Sequence, residues 1–372
     1  MPEKPNIILV LLDGVRLERT EPLPEFRKLV RKGSYFGNSI TYSPSTIPSM
    51  HAVMSGMNGG KNGVNNYFGT LQFKKNGVFT LAQYLKEQGY RTEAEIANRL
   101  IMPFQGFDNV VVHDYEADAK QKASHLRMLE RLADSERPFF VFYQFDEIRQ
   151  ILTKNVMKKF DDFSPELFEN KEKNAREYDE YLKDCDVYIK EIWALIGRKG
   201  LDKNSLIIFF SDHGIGLGDR IGEKVYGSFC YDYTLKTFML FISPDGRFPE
   251  KKITSQVRLI DLMPTILDFL GIAQKSGFEK MDGKSLLPLV EGREKGDRTA
   301  FSETGGLGGP TPSPKMPNVK AVRTDKWKLI YNLTLKKREL YDLEKDPLEK
   351  DNLAGKGIEA ENTLWKTLEE FL

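Results

Sequence analysis

Residues 6–14 read NIILVLLDG, an apolar run that stops directly at an aspartate. Two later stretches repeat the design. FFVFYQF at 139–145 runs into Asp146, and LIIFF at 206–210 runs through Ser211 into Asp212, followed by His213 and Gly214. Unbroken apolar runs of this length suit strands buried on both faces, as in parallel sheets. In open α/β sheets, ligands bind beyond the carboxyl ends of such strands. Acids and a histidine at three strand ends therefore converge on one crevice, and that set of side chains points to a metal site.

Working outward, the periodicity predicts helices over 23–32, 48–55, 80–88, 117–132, 166–198 and 259–270, with Gly89 and Gly271 as stops. Extended segments are expected at 35–42, 91–96 and 237–242. The charged face of the 166–198 helix reads as solvated surface. This alternation predicts an α/β fold with a mostly parallel central sheet flanked by helices on both faces. The composition then shifts at TGGLGGPTPSPKMP, residues 304–317, which reads as a loop. Beyond it, 320–332 and 338–343 alternate like antiparallel strands and 357–372 ends as a helix. The expected division is a catalytic core over 1–303 and a loop with a small C-terminal α+β subdomain over 304–372.

With 372 residues and 40% apolar content, the chain can bury a large core. Its 55 Lys and Arg are offset by 54 Asp and Glu, which argues against a nucleic-acid partner. No apolar run approaches the ~20 residues that span a bilayer, so no membrane partner is expected. The N-terminus enters a strand almost at once, leaving no room for a secretory signal, and Cys185 and Cys230 are too few for a disulfide framework. A cytoplasmic location is the expectation. Oligomeric state leaves no signature.

Three segments carry the chemistry. Asp13 follows a buried strand, although Asp-Gly is also an ordinary strand-ending turn. In SPSTIPSMHAVMSG, residues 43–56, Thr46 stands two before Pro48, which the first turn of a helix tolerates. Thr46 is then either a plain cap or the rim of an anion site made by free amides and the helix dipole. SDHGIGLG at 211–218 places adjacent ionisable groups after a buried strand. Burying them costs several kcal/mol unless something compensates their charge.

Taken together, these segments resemble the sulfatase-like branch of the alkaline phosphatase superfamily over nearly the whole chain. PNIILVLLDG looks like the family's first strand with its metal aspartate, and TIPSMHAVMSG is similar to the nucleophile segment. SDHGIGLGD looks like the second metal motif. SQVRLIDLMPTILDFLGI with MDGKSLLPLVEG resembles the late helix and loop, and AVRTDKWKLIYNL with RELYDLEKDPLEKDNLA the C-terminal sheet. The resemblance implies that Asp13, Asp212 and His213 bind one divalent cation, with Thr46 as a fourth ligand and the nucleophile. Two carboxylates, an imidazole and a hydroxyl suit Mn, Zn, Mg or Ca.

Departures from the family pattern shape the expected reaction. Family sulfatases use a formylglycine made from Cys or Ser and followed by Pro-Ser-Arg; here Thr46 and Met50 stand in those places. A metal-activated hydroxyl suits phosphoryl transfer. Gly14 replaces the family's second aspartate, and Glu147, Ile148 and Arg149 follow Asp146 where the family has Pro-His. His51, His113 and His125 match no metal motif, so a single-metal site is expected. Arg16, Asn66, Asp146, Arg149 and Lys224 are candidate substrate-binding residues, with Arg16 alternatively pairing with a carboxylate and Arg149 alternatively lying on a surface loop. The reading is a hydrolase or transferase of phosphate esters, phosphodiesters or phosphonate monoesters above all. Its partner would be a small-molecule, glycan or lipid-headgroup ester. The alternatives are a sulfatase acting on sugar or aryl sulfates and a non-catalytic anion or glycan binder.

Overall fold

Strand β1 (Asn6–Leu12) is buried along its whole length between two parallel partners, β5 (Phe139–Phe145) and β6 (Ser205–Phe210). In this computed structural model the described residues are 4–113, 121–146, 168–221, 229–305 and 318–372. The central sheet also contains β2 (Ser34–Ile40), β3 (Arg91–Ile96), β4 (Asn109–Val112), β7 (Lys236–Ile242), β8 (Lys251–Ile253) and β9 (Val257–Arg258). Its order is β4-β3-β5-β1-β6-β7-β2-β8, with β9 also beside β2. From β4 through β6 the neighbours are parallel, as the apolar runs predict. Strand β7 is antiparallel to both β6 and β2. The chain between β6 and β7 supplies no crossover helix among the described residues, so β7 starts at the rim where β6 stopped and must run back.

Register decides where the acids meet. Leu11 lies beside Phe210 and Leu12 beside Phe145, so Asp13, Asp146 and Asp212 reach the same edge of the sheet. Helices cover both faces, again as expected. On one side lie α1 (Pro24–Leu29) and the helix Lys171–Arg198, which buries Tyr178, Tyr181, Leu182, Cys185, Tyr188, Ile189 and Ile192; its charged residues face outward except Asp186, which is buried and accepts from the Glu25 and Phe26 amides. On the other lie α2 (Thr46–Ser55) and the helix Leu262–Phe269, packed against alternate residues of the same strands. No helix among the described residues is long and apolar enough to cross a membrane.

The second sheet is antiparallel throughout: β10 (Ala300–Glu303), β11 (Val319–Arg323), β12 (Trp327–Asn332) and β13 (Lys337–Asp342). The helix Glu359–Glu369 packs Leu364 and Leu368 onto Val322, Leu329 and Leu340. This is the expected α+β appendage, but it begins one strand earlier than the 303/304 boundary. The composition shift marks the connection between β10 and β11, not the edge of the unit, and residues 306–317 of that stretch lie outside the described residues.

The appendage is locked to the core by charge. Lys328, fully buried, places Nζ 2.8 Å from Asp232 Oδ1 and 2.7 Å from Glu349 Oε1. Arg323 pairs with the other side of Asp232 at 2.7 Å, and the Asp232 amide donates to Glu349 Oε2 at 2.7 Å. Strand β10 reaches further in. Ser302 Oγ donates to the Thr41 carbonyl at 2.6 Å and the Glu303 amide to the Tyr42 carbonyl at 2.9 Å. The Tyr42 hydroxyl bonds the Glu303 carboxylate, and the Phe371 ring meets Tyr42 edge-on, with ring centroids 6.4 Å apart.

Candidate active site

Helix α2 starts at Thr46, two residues before the expected 48–55 span, because Ser45 is still extended and Pro48 fits the first turn. No side chain caps this end, all ten helix residues are buried, and Gly56 in a left-handed conformation stops the helix. Its seat is fixed by Ser49, whose Oγ donates to the Asp212 carbonyl at 3.0 Å and lies 2.7 Å from Thr41 Oγ1. Thr46 Oγ1 is thereby delivered 3.0 Å from His213 Nε2 and 3.4 Å from Asp13 Oδ2.

The acidic side is equally constrained. Gly14 adopts φ of +65°, a turn that a side chain would strain, and its amide donates to Asp212 Oδ1 at 3.2 Å. The His213 amide donates to the same Asp212 oxygen at 3.0 Å. Asp212 Oδ2 is buried, has no hydrogen-bond donor in good geometry among the described residues, and lies 3.4 Å from His213 Nε2. His213 Nδ1 donates to the Gly214 carbonyl at 2.7 Å, which assigns the ring proton to that nitrogen and leaves Nε2 as a lone-pair donor. Gly214 admits no side chain, since a Cβ would sit 2.1 Å from the Tyr233 carbonyl. From behind, Tyr181 and Tyr178 of the long helix donate to the carbonyls of Asp13 and Gly14 at 3.0 and 2.9 Å.

Asp13, Asp212 and His213 offer ligand atoms that all lie within 4.8 Å of one another, the one such cluster among the described residues. Burial, and then the charge of Asp13, push the Asp212 carboxyl up to about 7, with His213 opposing. Two buried carboxylates, one with an unfilled oxygen, beside an imidazole nitrogen and a hydroxyl fit a divalent cation, which would remove that penalty. The four residues singled out from the sequence meet at one point.

Among the described candidates, Arg16 and Asn66 are engaged elsewhere. The Arg16 guanidinium is tied to Glu18 and to Asp219, at 2.7 Å, and to the Ile215 carbonyl at 3.1 Å, the carboxylate pairing foreseen as its alternative. Asn66 caps the turn 67–72 by accepting from the Gly69 amide at 2.8 Å. Asp146 is buried at the end of β5, its amide 3.4 Å from Gln121 Oε1. Arg149 and Lys224 lie outside the described residues. His51 bonds the Ile47 carbonyl within its own helix, His113 pairs with Glu95, and His125 Nδ1 lies 2.9 Å from the Tyr188 hydroxyl. Sequence reading passed over Gln144, whose Nε2 donates to Asp13 Oδ2 at 2.6 Å. Its signal was present: it is the one polar residue in FFVFYQF.

Burial lowers the pKa of His51 to about 4 and of His125 to about 3, from an ordinary 6.5. Below pH 6.5 the unfolded chain takes up protons that the native state refuses, so stability falls as pH falls. The expected slope is up to about 1.4 kcal/mol per pH unit for each histidine. The carboxyls of Asp212 and Glu349, which burial raises to about 7, work in the opposite sense, so the readout is a comparison of chains: on going from pH 7 to pH 5 the urea midpoint of His125→Phe should rise relative to that of the native chain. Equal differences in the variant and the native chain would remove His125 from this account.

The sulfatase family model matches residues 5–272, and a model of the C-terminal part of N-sulphoglucosamine sulphohydrolase matches 225–372. The chain belongs to the sulfatase family. A choline-sulfatase of Rhizobium meliloti (strain 1021) is 30% identical over 186 residues, 50% of this chain and 34% of that protein. The chain spans about a third of the length of the choline-sulfatase and arylsulfatase K relatives it matches. Among solved structures, one in complex with its substrate D-glucosamine-2-N,6-O-disulfate superposes with a TM-score of 0.76 at 18% identity, covering 99% of this chain and 97% of that one. A phosphonate monoester hydrolase of Agrobacterium radiobacter superposes at 0.75 with 16% identity, covering 99% and 95%. Both share this sulfatase-family fold.

Proposed function

We propose that this sulfatase-family chain is a cation-dependent hydrolase of sulfate esters that uses the Thr46 hydroxyl as nucleophile. The observation that carries the reading is the Thr46 hydroxyl, 3.0 Å from His213 Nε2 and 3.4 Å from Asp13 Oδ2, at the uncapped start of a buried helix. Family membership moves the weight from the phosphate esters expected from Thr46 alone toward sulfate esters, because most of the relatives are sulfatases. Asp13, Asp212, His213 and Thr46 would hold the cation, which supplies charge neutralisation and an easier deprotonation of the hydroxyl. Thr46 Oγ gives up its proton to solvent as it forms a bond to sulfur, the sulfur–alkoxy bond breaks, and the leaving alkoxide takes a proton from solvent to depart as the alcohol. Water then attacks sulfur, releasing sulfate and restoring the threonine hydroxyl. The free amides at the start of α2 face the developing oxyanion. Small-molecule and glycan sulfates are the substrate class.

A second reading is favoured by one observation. Threonine carries a methyl on Cβ and cannot yield the aldehyde that the resemblance attributes to sulfatases, whereas a hydroxyl nucleophile suits a phosphodiester or phosphonate monoester. The test is turnover of nitrophenyl sulfate, nitrophenyl phosphate, bis(nitrophenyl) phosphate and a phenylphosphonate ester after EDTA treatment and return of Mn, Zn, Ca or Mg. Chelation should abolish activity, one cation should restore it, and the sulfate ester should be fastest. A phosphodiester or phosphonate preference above about tenfold, roughly 1.4 kcal/mol in the transition state, would install the second reading. Cation binding without turnover of any ester would leave a binding protein.

A further inference from the structure

Gln144 has no part in the chemistry just described, yet it is completely buried beside it. Its neighbours Tyr143 and Phe145 point into the core beneath the long helix, so the Gln144 side chain projects to the opposite face, toward α2 and Asp13. Both ends of its amide are used. Oε1 accepts from the Ala97 amide at 3.0 Å, and Nε2 donates to Asp13 Oδ2 at 2.6 Å. The Ala97 group can only donate, so it fixes which end of the amide is oxygen and obliges the NH2 group to face the carboxylate. The two acids of the cluster are therefore held differently. Asp212 Oδ1 is gripped by two backbone amides, those of Gly14 and His213, which no side-chain change removes. The Asp13 carboxylate is gripped by side chains, Gln144 and the mobile proton of Thr46.

We infer that Gln144 is the positioning residue for Asp13, fixing the rotation of its carboxylate so that Oδ1 faces the cation site. The inference rests on the cation-dependent reading above. It assigns Gln144 no contact with substrate. A neutral donor at this place orients Asp13 without interfering, whereas a carboxylate there would compete for the cation and a lysine ammonium would compete with the cation for Asp13. Residue 144 should thus set cation affinity and ligand geometry through one bond.

The measurement is titration of the apo protein with Mn2+, and visible absorption after loading with Co2+, for the native chain and Gln144→Leu, with circular dichroism as the folding control. Leucine keeps the volume and removes both bonds. The expected result is a folded variant with Mn2+ affinity lowered about 10–100-fold and an altered Co2+ spectrum per bound ion. A folded variant with native Mn2+ affinity and an unchanged spectrum would overturn the role of Gln144 while leaving the cation site intact. A native chain that binds neither ion would overturn the cation reading and this inference with it. Should the leucine variant fail to fold, Gln144→Asn decides: its amide is too short to span Ala97 and Asp13 together, so weakened Mn2+ binding supports the role and native binding removes it.

Discussion

Thr46→Ala should abolish turnover, lowering kcat by roughly 10³–10⁶-fold, the range seen when a nucleophile is deleted and only binding and electrostatics remain. Thr46→Ser, which keeps the hydroxyl at the first turn of α2, should retain activity within about tenfold. Cation binding by the alanine variant should persist, because Asp13, Asp212 and His213 keep their ligand atoms within 4.8 Å of one another. The combination matters: lost turnover with retained binding separates nucleophile from scaffold. An alanine variant with more than about a tenth of the native rate would mean that water attacks the ester directly and that Thr46 serves only to complete the helix start.

The largest stability effect is expected at Lys328, where the appendage meets the core. Its ammonium is fully buried between Asp232 and Glu349, and its removal in Lys328→Ala leaves two buried carboxylates with only Arg323 to answer them. Breaking such a group by deleting one partner costs about 3–5 kcal/mol. Urea unfolding should show that loss. Combining Lys328→Met with Glu349→Gln removes one negative charge along with the positive one and should recover part of it. If Lys328→Ala proves as stable as the native protein, water reaches this junction and the appendage is not held by charge.

How much of this was legible in the sequence follows from the physics of each signal. Runs such as NIILVLL and LIIFF declare buried parallel strands because both faces must be apolar, and a strand-end acid then has one rim to occupy. That logic brings Asp13, Asp212 and His213 to one rim, while Thr46 joins them only through the resemblance to the sulfatase-like branch, since the helix start alone reads as a cap or an anion site. The direction of β7 was not legible, since TFMLFI reads the same whichever way it runs. Strand β10 was missed because AFSE is only four residues and its neighbours in the sheet lie beyond a long Gly- and Pro-rich connection. Arg16 and Asn66 read in the sequence as ligand-binding residues, but Asp219, the partner of Arg16, is distant in the chain and reached only through the fold, and Asn66 is spent on the Gly69 amide of its own turn. Gln144 could have been found, as a lone amide within an apolar strand demands a partner.

The hydrogen bonds from Ser302 and Glu303 to the carbonyls of Thr41 and Tyr42, and the Phe371 ring against Tyr42, have a consequence for biogenesis. The segment that carries Thr46 is translated early, but the residues that brace it follow much later in the chain. At about 5–20 residues per second, the ribosome needs roughly 15–65 s to get from Thr46 to Phe371. During that interval the Thr41–Thr46 stretch of the nascent chain lacks these braces, so the position of Thr46 is secured only once residue 371 has been made.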